Sequence, residues 1–86
     1  MIPCRTKAIL LRKQVDVIIY RDPLDPKWFI AEAIVEGHKV VDQGRSIEEA
    51  IEHIREAIEL LLEYLHGLPD NTVEVEIVPY VKDISY

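Results

Sequence analysis

The segment Gly44-Arg45-Ser46-Ile47-Glu48-Glu49-Ala50, continued by Ile51-Glu52-His53-Ile54-Arg55-Glu56-Ala57-Ile58-Glu59-Leu60-Leu61-Leu62-Glu63-Tyr64-Leu65-His66-Gly67-Leu68-Pro69, carries the strongest local signal in this 86-residue chain. A Ser followed three residues later by Glu, ahead of an apolar run, is a capping box. Ser46 is expected to accept from the Glu49 amide while the Glu49 carboxylate returns to the Ser46 amide. Glu48 and Glu49 also suit the positive end of the helix dipole. At about 100° per residue, Ile47, Ala50, Ile51, Ile54, Ala57, Ile58, Leu61, Leu62, Tyr64 and Leu65 share an arc of roughly 160°. The spacing predicts a core-facing helix of about twenty residues. Gly67 can take the left-handed position after its last turn, and Pro69 prevents continuation.

Strand patterns flank this helix. From about Thr6 to Tyr20 the chain is rich in aliphatic and β-branched residues, with Val15, Val17 and Ile19 on one side of a period-2 alternation. Arg21-Asp22-Pro23-Leu24-Asp25-Pro26 then reads as a turn, since two prolines three apart forbid a regular ladder. Lys27 to Val35 reads as a second strand, with the Phe29, Ala31, Ala33 and Val35 face under the helix, because small residues allow close approach. Glu36 to Lys39 is a turn and Val40 to Gln43 a short third strand closed by Gly44. After Asp70-Asn71-Thr72, Val73, Val75 and Ile77 alternate with Glu74 and Glu76 in a last strand whose far end Pro79 assigns to an edge.

The predicted class is therefore α+β, in the order β-β-β-α-β, with one helix on one face of a small mixed sheet and room for an extra N-terminal strand. The last strand should lie parallel to the first and beside it, reached by a right-handed crossover. In domain terms, residues 1–13 form a basic strand or arm, 14–79 the folded unit and 80–86 a tail. The sheet face away from the helix would expose Ile18, Tyr20, Trp28, Ile30 and Ile34, more apolar surface than a monomer leaves wet. A homodimer or higher oligomer is expected through this face or through a strand edge.

At 10.0 kDa the chain has room for one small domain, which excludes a large multidomain enzyme. Ten Lys and Arg against sixteen Asp and Glu give a net charge of −6, a surface that as a whole repels nucleic acid and favours basic partners. One cysteine, Cys4, excludes an intrachain disulfide, and no apolar run is long enough to cross a bilayer. Arg5 and Lys7 interrupt any signal-like hydrophobic region, so a cytoplasmic setting is the expectation. The charge is polarised: Arg5, Lys7, Arg12 and Lys13 give the first fifteen residues +4 with no acid among them, leaving −10 for the remainder. These four cations protect an edge strand from aggregation, form a phosphate-contacting patch for nucleic acid, or belong to a strand exchanged between subunits.

The motif Gly44-Arg45-Ser46-Ile47-Glu48-Glu49-Ala50 with Ile54-Arg55-Glu56-Ala57-Ile58, together with the Trp28-Phe29-Ile30-Ala31 strand and the Gly37 turn, resembles the HicB-like antitoxins over roughly Val15 to Leu65. Glu36 and His38 flank Gly37 where that family often has Pro and Cys. The resemblance implies a partial ribonuclease-H-like fold and a role in a toxin–antitoxin pair, binding and masking a small basic, mRNA-cleaving HicA-like toxin. Family members usually add a C-terminal DNA-binding domain, for which the residues after Pro79 are too few. A polyanionic surface suits such masking, because it can cover a site built for RNA phosphates. The alternative is an oligomeric binding or scaffold domain with another protein or a small ligand as partner.

Glu48, Glu49, Glu52, Glu56, Glu59 and Glu63 face a single Arg55 on the helix. An ordinary solvated face would look much the same, but Leu60 falls in the middle of the polar arc, which marks Glu52, Glu56, Leu60 and Glu63 as the partner-binding candidates. Catalysis has little to stand on. Asp16, a helix glutamate and Glu74 or Glu76 would have to converge within about 4 Å of two ions to act as a nuclease, and Asp16 lies on the strand face away from the helix. His38, His53 and His66 have no ligand spacing, and His53 is expected to pair with Glu49. Cys4 has no nearby base, and three glycines make no phosphate loop. No catalytic residue, metal or cofactor is implied.

Overall fold

The computed structural model describes residues 8–82. Strand β1 (Leu11–Arg21), β2 (Phe29–Val35) and β3 (His38–Gly44) are followed by helix α1 (Ile47–His66) and strand β4 (Val73–Val81). The sheet order is β3-β2-β1-β4, with β1 antiparallel to β2, β2 antiparallel to β3 and β1 parallel to β4. This is the expected α+β arrangement, with the last strand parallel to the first. Both ends of the sheet extend past the expected domain limits, to Leu11 and to Val81. The extra N-terminal strand, if placed before Ala8, lies outside the described residues, as do Arg5 and Lys7.

Local chemistry explains each turn. Asp22 and Asp25 accept through their side chains from the Leu24 and Lys27 amides, and the Trp28 amide donates to the Asp25 carbonyl. That turn delays β2 to Phe29, two residues after the expected start, and leaves Trp28 just ahead of the strand. Glu36 (φ 50°) and Gly37 (φ 83°) make the two-residue β2–β3 connection, closed by the Val35–His38 pair. Positive φ at both positions is the type I′ geometry that matches strand twist.

The Ser46 hydroxyl accepts the Glu49 amide at 3.0 Å, as expected of the cap. The reciprocal bond differs: Glu49 Oε1 accepts from the Arg45 amide at 2.7 Å rather than from Ser46. The chain leaves the β3 ladder at Gly44, so the Arg45 amide is the donor left over at the helix entrance. At the other end, Gly67 (φ 63°) donates to Tyr64 and the Leu68 amide donates to Glu63, a Schellman closure.

The core lies between α1 and one sheet face. Ala50, Ile54, Ile58 and Leu62, four apart on the helix, pack over Val15, Val17, Ile19, Ala31, Ala33, Val35, Val73 and Val75. Each fully buried Ile or Leu contributes about 1.5–3 kcal/mol. Tyr64 departs from expectation. It is 83% exposed, because it sits at the rim of the apolar arc, about 40° from Leu60, where the last helical turn has run past the sheet. Leu65 is partly exposed for the second of these reasons.

Candidate interaction surfaces

Residues at steps of four form a ridge along a helix. On α1 the outward ridge is Glu48, Glu52, Glu56, Leu60 and Tyr64, acidic over its first half and apolar at its end. Leu60 is 65% exposed and, with Tyr64, presents an i, i+4 apolar pair beside three carboxylates. Three partner-binding candidates, Glu52, Glu56 and Leu60, are thus brought onto one line. Tyr64 joins them, which the sequence reading missed by assigning it to the core.

Glu63 does not belong to this surface. It is 8% exposed, and its Oε2 accepts the Asn71 amide at 2.9 Å. Asn71 has φ 63°, so the carboxylate fastens the sharp α1–β4 connection from inside. By the helical count Glu63 falls on the outward side, and it is the α1–β4 connection, held to it through the Asn71 amide, that covers it.

Of the basic N-terminal candidates, Arg12 and Lys13 lie among the described residues. Arg12 and Lys13 leave opposite faces of β1. Arg12 pairs with Glu74 across the β1–β4 ladder, and Lys13 lies 3.7 Å from Glu36, whose carboxylate also accepts from His66 Nε2 at 2.8 Å. Hydrogen bonding from His66, with help from Lys13, holds Glu36 below the ordinary carboxylate range. This cluster ties the β2–β3 turn to the last turn of α1. A groove of about 770 Å³ runs beside β4, lined by Arg12, Lys13 and Arg55 but also by Glu59, Glu74 and Glu76. Within this groove three carboxylates stand among the three cations and balance their charge.

On the sheet face away from α1, Ile18, Tyr20, Ile30 and Ile34 lie together, joined by Val41 and Tyr80. Trp28 stands apart at the end of the sheet, with the Arg45 guanidinium 5.0 Å from its ring centre. Tyr20 donates its hydroxyl hydrogen to Glu32, which raises the phenol above its usual value. The same bond, aided by Lys39 at 3.5 Å, draws Glu32 below the usual carboxylate range.

His53 contacts the Gln43 carbonyl through Nδ1 at 2.7 Å, not Glu49 as its i, i+4 spacing suggested. Asp16 lies on the strand face away from the helix, apart from the groove that Glu59 shares with Glu74 and Glu76, so the three-part carboxylate set is not assembled. Among the described residues no group of three His, Cys, Asp or Glu is placed to hold a metal ion, and no helix is long and apolar enough to cross a membrane. The chain matches no family model, no curated protein and no solved structure.

Proposed function

We propose that this chain is a HicB-like, antitoxin-type interaction protein that acts in the cytoplasm without catalysis, as a homo-oligomer, by covering a small basic mRNA-cleaving toxin of the HicA-like kind. The observation that carries the reading is the α1 ridge, where Glu48, Glu52 and Glu56 run into exposed Leu60 and Tyr64. Carboxylates in a row oppose a surface made for phosphates, and steer its approach. The adjoining Leu60–Tyr64 pair gives the contact a desolvated apolar anchor, where most binding energy concentrates. The order β-β-β-α-β is the one the family resemblance implies.

The test is co-expression with the product of an adjacent short, basic, histidine-bearing reading frame, followed by affinity measurement on the purified pair. The expected result is a complex that weakens as salt is raised, and at least about tenfold on Leu60→Lys or on combined Glu52→Lys and Glu56→Lys. Unchanged affinity in both variants removes this ridge as the binding site. Failure to form any complex favours the scaffold alternative.

A further inference from the structure

Each edge of the sheet is blocked at one point by side chains of the chain itself. The Lys82 amide donates to the Ile19 carbonyl, so even-numbered residues of β4 direct their backbone toward β1 and odd-numbered ones outward. Of these outward groups, the Val75 N–H is taken by Glu59 Oε2 at 3.1 Å, and Pro79 has no N–H to offer. On β3, the Gln43 carbonyl meets His53 and the Gln43 amide donates to Asp42 at 2.8 Å. Such plugs are a means of preventing edge-to-edge pairing. Nothing among the described residues covers the open face.

That face is arranged in rows across the strands. Lys39 pairs with Ile34 and Asp16 with Val78; Val41 with Glu32 and Ile18 with Tyr80; Gln43 with Ile30, which pairs with Tyr20. Continuing the β1–β2 register sets Ile34 beside Asp16. Arg12, Lys39 and Lys82 stand there against Asp16, Glu32, Glu74 and Glu76, so the face carries −1 of the chain's −6. Two identical acidic molecules therefore meet on this surface with little of the repulsion that their helices would generate.

Turning a second copy over about an axis parallel to the strands lays β3 over β4 and β2 over β1. With rows aligned, Val41 falls over Tyr80, Ile30 over Tyr20, and the second copy's Lys39 over Val78, beside Asp16. No like charges come face to face. Glu32 enters already bonded by Tyr20 and near Lys39, so its burial strands no bare carboxylate. Four strands and about seven residues span roughly 20 by 25 Å, on the order of 500 Å² of flat footprint per copy. The pair reaches about 1,000 Å², the lower limit of a specific interface.

We propose that two copies of this chain stack their open sheet faces across a two-fold axis, with Ile18, Ile30, Ile34, Val41 and Tyr80 in the contact and both sheet edges outside it. The inference rests on the oligomer of the preceding reading and names its surface; it does not depend on a toxin.

Sedimentation equilibrium of the full 86-residue chain tests it. Mass is expected to rise from 10.0 kDa toward twice that value, with a dissociation constant on the order of micromolar and little change with added salt. Ile34→Glu and Ile18→Lys should each weaken association about tenfold or more while circular dichroism stays native, because Ile34 is 75% exposed. Leu60→Lys should leave it unchanged. A wild type that stays monomeric up to about 100 μM, or both face variants associating as wild type does, overturns the proposal. A dimer that binds no toxin counts against toxin masking alone, and a monomer that binds toxin counts against this inference and the oligomer it rests on while leaving toxin masking in place.

Discussion

Glu59 reaches from α1 to the outer edge of β4, where its Oε2 accepts the Val75 N–H at 3.1 Å. In sequence these residues are sixteen apart, and one looks like part of a solvated acidic face, the other like a core strand residue. Their bond makes a helix glutamate a stopper for a sheet edge. Removing it should cost about 1 kcal/mol, the usual value of one intramolecular hydrogen bond. Glu59→Ala is expected to show this loss in urea unfolding, whereas Glu59→Gln, which retains an acceptor, should recover most of it. Equal stability of Glu59→Ala and wild type would contradict the stopper role.

At Gly44 the first turn of α1 lies directly against the sheet. A Cβ placed there would stand 2.5 Å from the Ala50 amide nitrogen and 2.8 Å from the Glu49 carbonyl carbon, both backbone atoms of the first helical turn. Backbone cannot swing away as a flexible side chain would, so Gly44→Ala should lower stability by about 1–3 kcal/mol, measured by chemical unfolding.

Two glutamates on α1 should separate fold from function. Glu63 supports the Asn71 turn from a buried position, so Glu63→Ala should lose about 1–3 kcal/mol of stability by leaving the Asn71 amide unpaired. Glu52 lies on the outward ridge, so Glu52→Lys should leave the unfolding midpoint nearly unchanged and alter only partner binding. Thermal unfolding of the two variants side by side reads the difference.

Protonation should act on the two clusters in opposite directions. His53 is held above its ordinary 6.5, first by its bond with the Gln43 carbonyl and then by Glu49, Asp42 and Glu56. A raised folded value adds stability below the unfolded pKa and loses it as pH rises through the folded one. The stability difference between wild type and His53→Ala should therefore be largest below about pH 6.5 and shrink as pH rises through the raised folded value. Glu36 is held below its ordinary 4.5, chiefly by His66, so its contribution is present above that value and fades as pH falls through the lowered one. NMR titration of the His53 ring and the Glu36 carboxyl checks both directions.

The helix and the faces of the strands were legible because each depends on a short-range period. Ser46, Gly67 and the Ala50-Ile54-Ile58-Leu62 stripe mark α1, and the Ala31 and Ala33 side of β2 marks where it packs. The alternation of β1 placed Asp16, Ile18 and Tyr20 on the open side. What failed was local as well. An arc drawn by angle took no account of where the sheet ends, so it buried Tyr64 and left Glu63 outside. A capping box drawn by spacing did not anticipate that Arg45, rather than Ser46, would be the donor left without a partner.

The sequence by itself determined the elements, their order and which side of each strand is apolar, since those follow from periodicity, caps and turn residues acting over a few positions. It also determined the polarity of charge, with cations early and glutamates on α1. Only the tertiary structure decided which polar side chains are spent inside the molecule. Glu59 on Val75, His53 on Gln43, Glu63 on Asn71 and Glu36 between Lys13 and His66 are contacts between residues 8 to 30 apart in sequence. Such pairs depend on where the crossing of α1 brings each helix side chain against a strand edge or a turn. That crossing sets Glu59 and His53 against the two edge strands and leaves the Glu48-to-Tyr64 ridge and the open sheet face exposed.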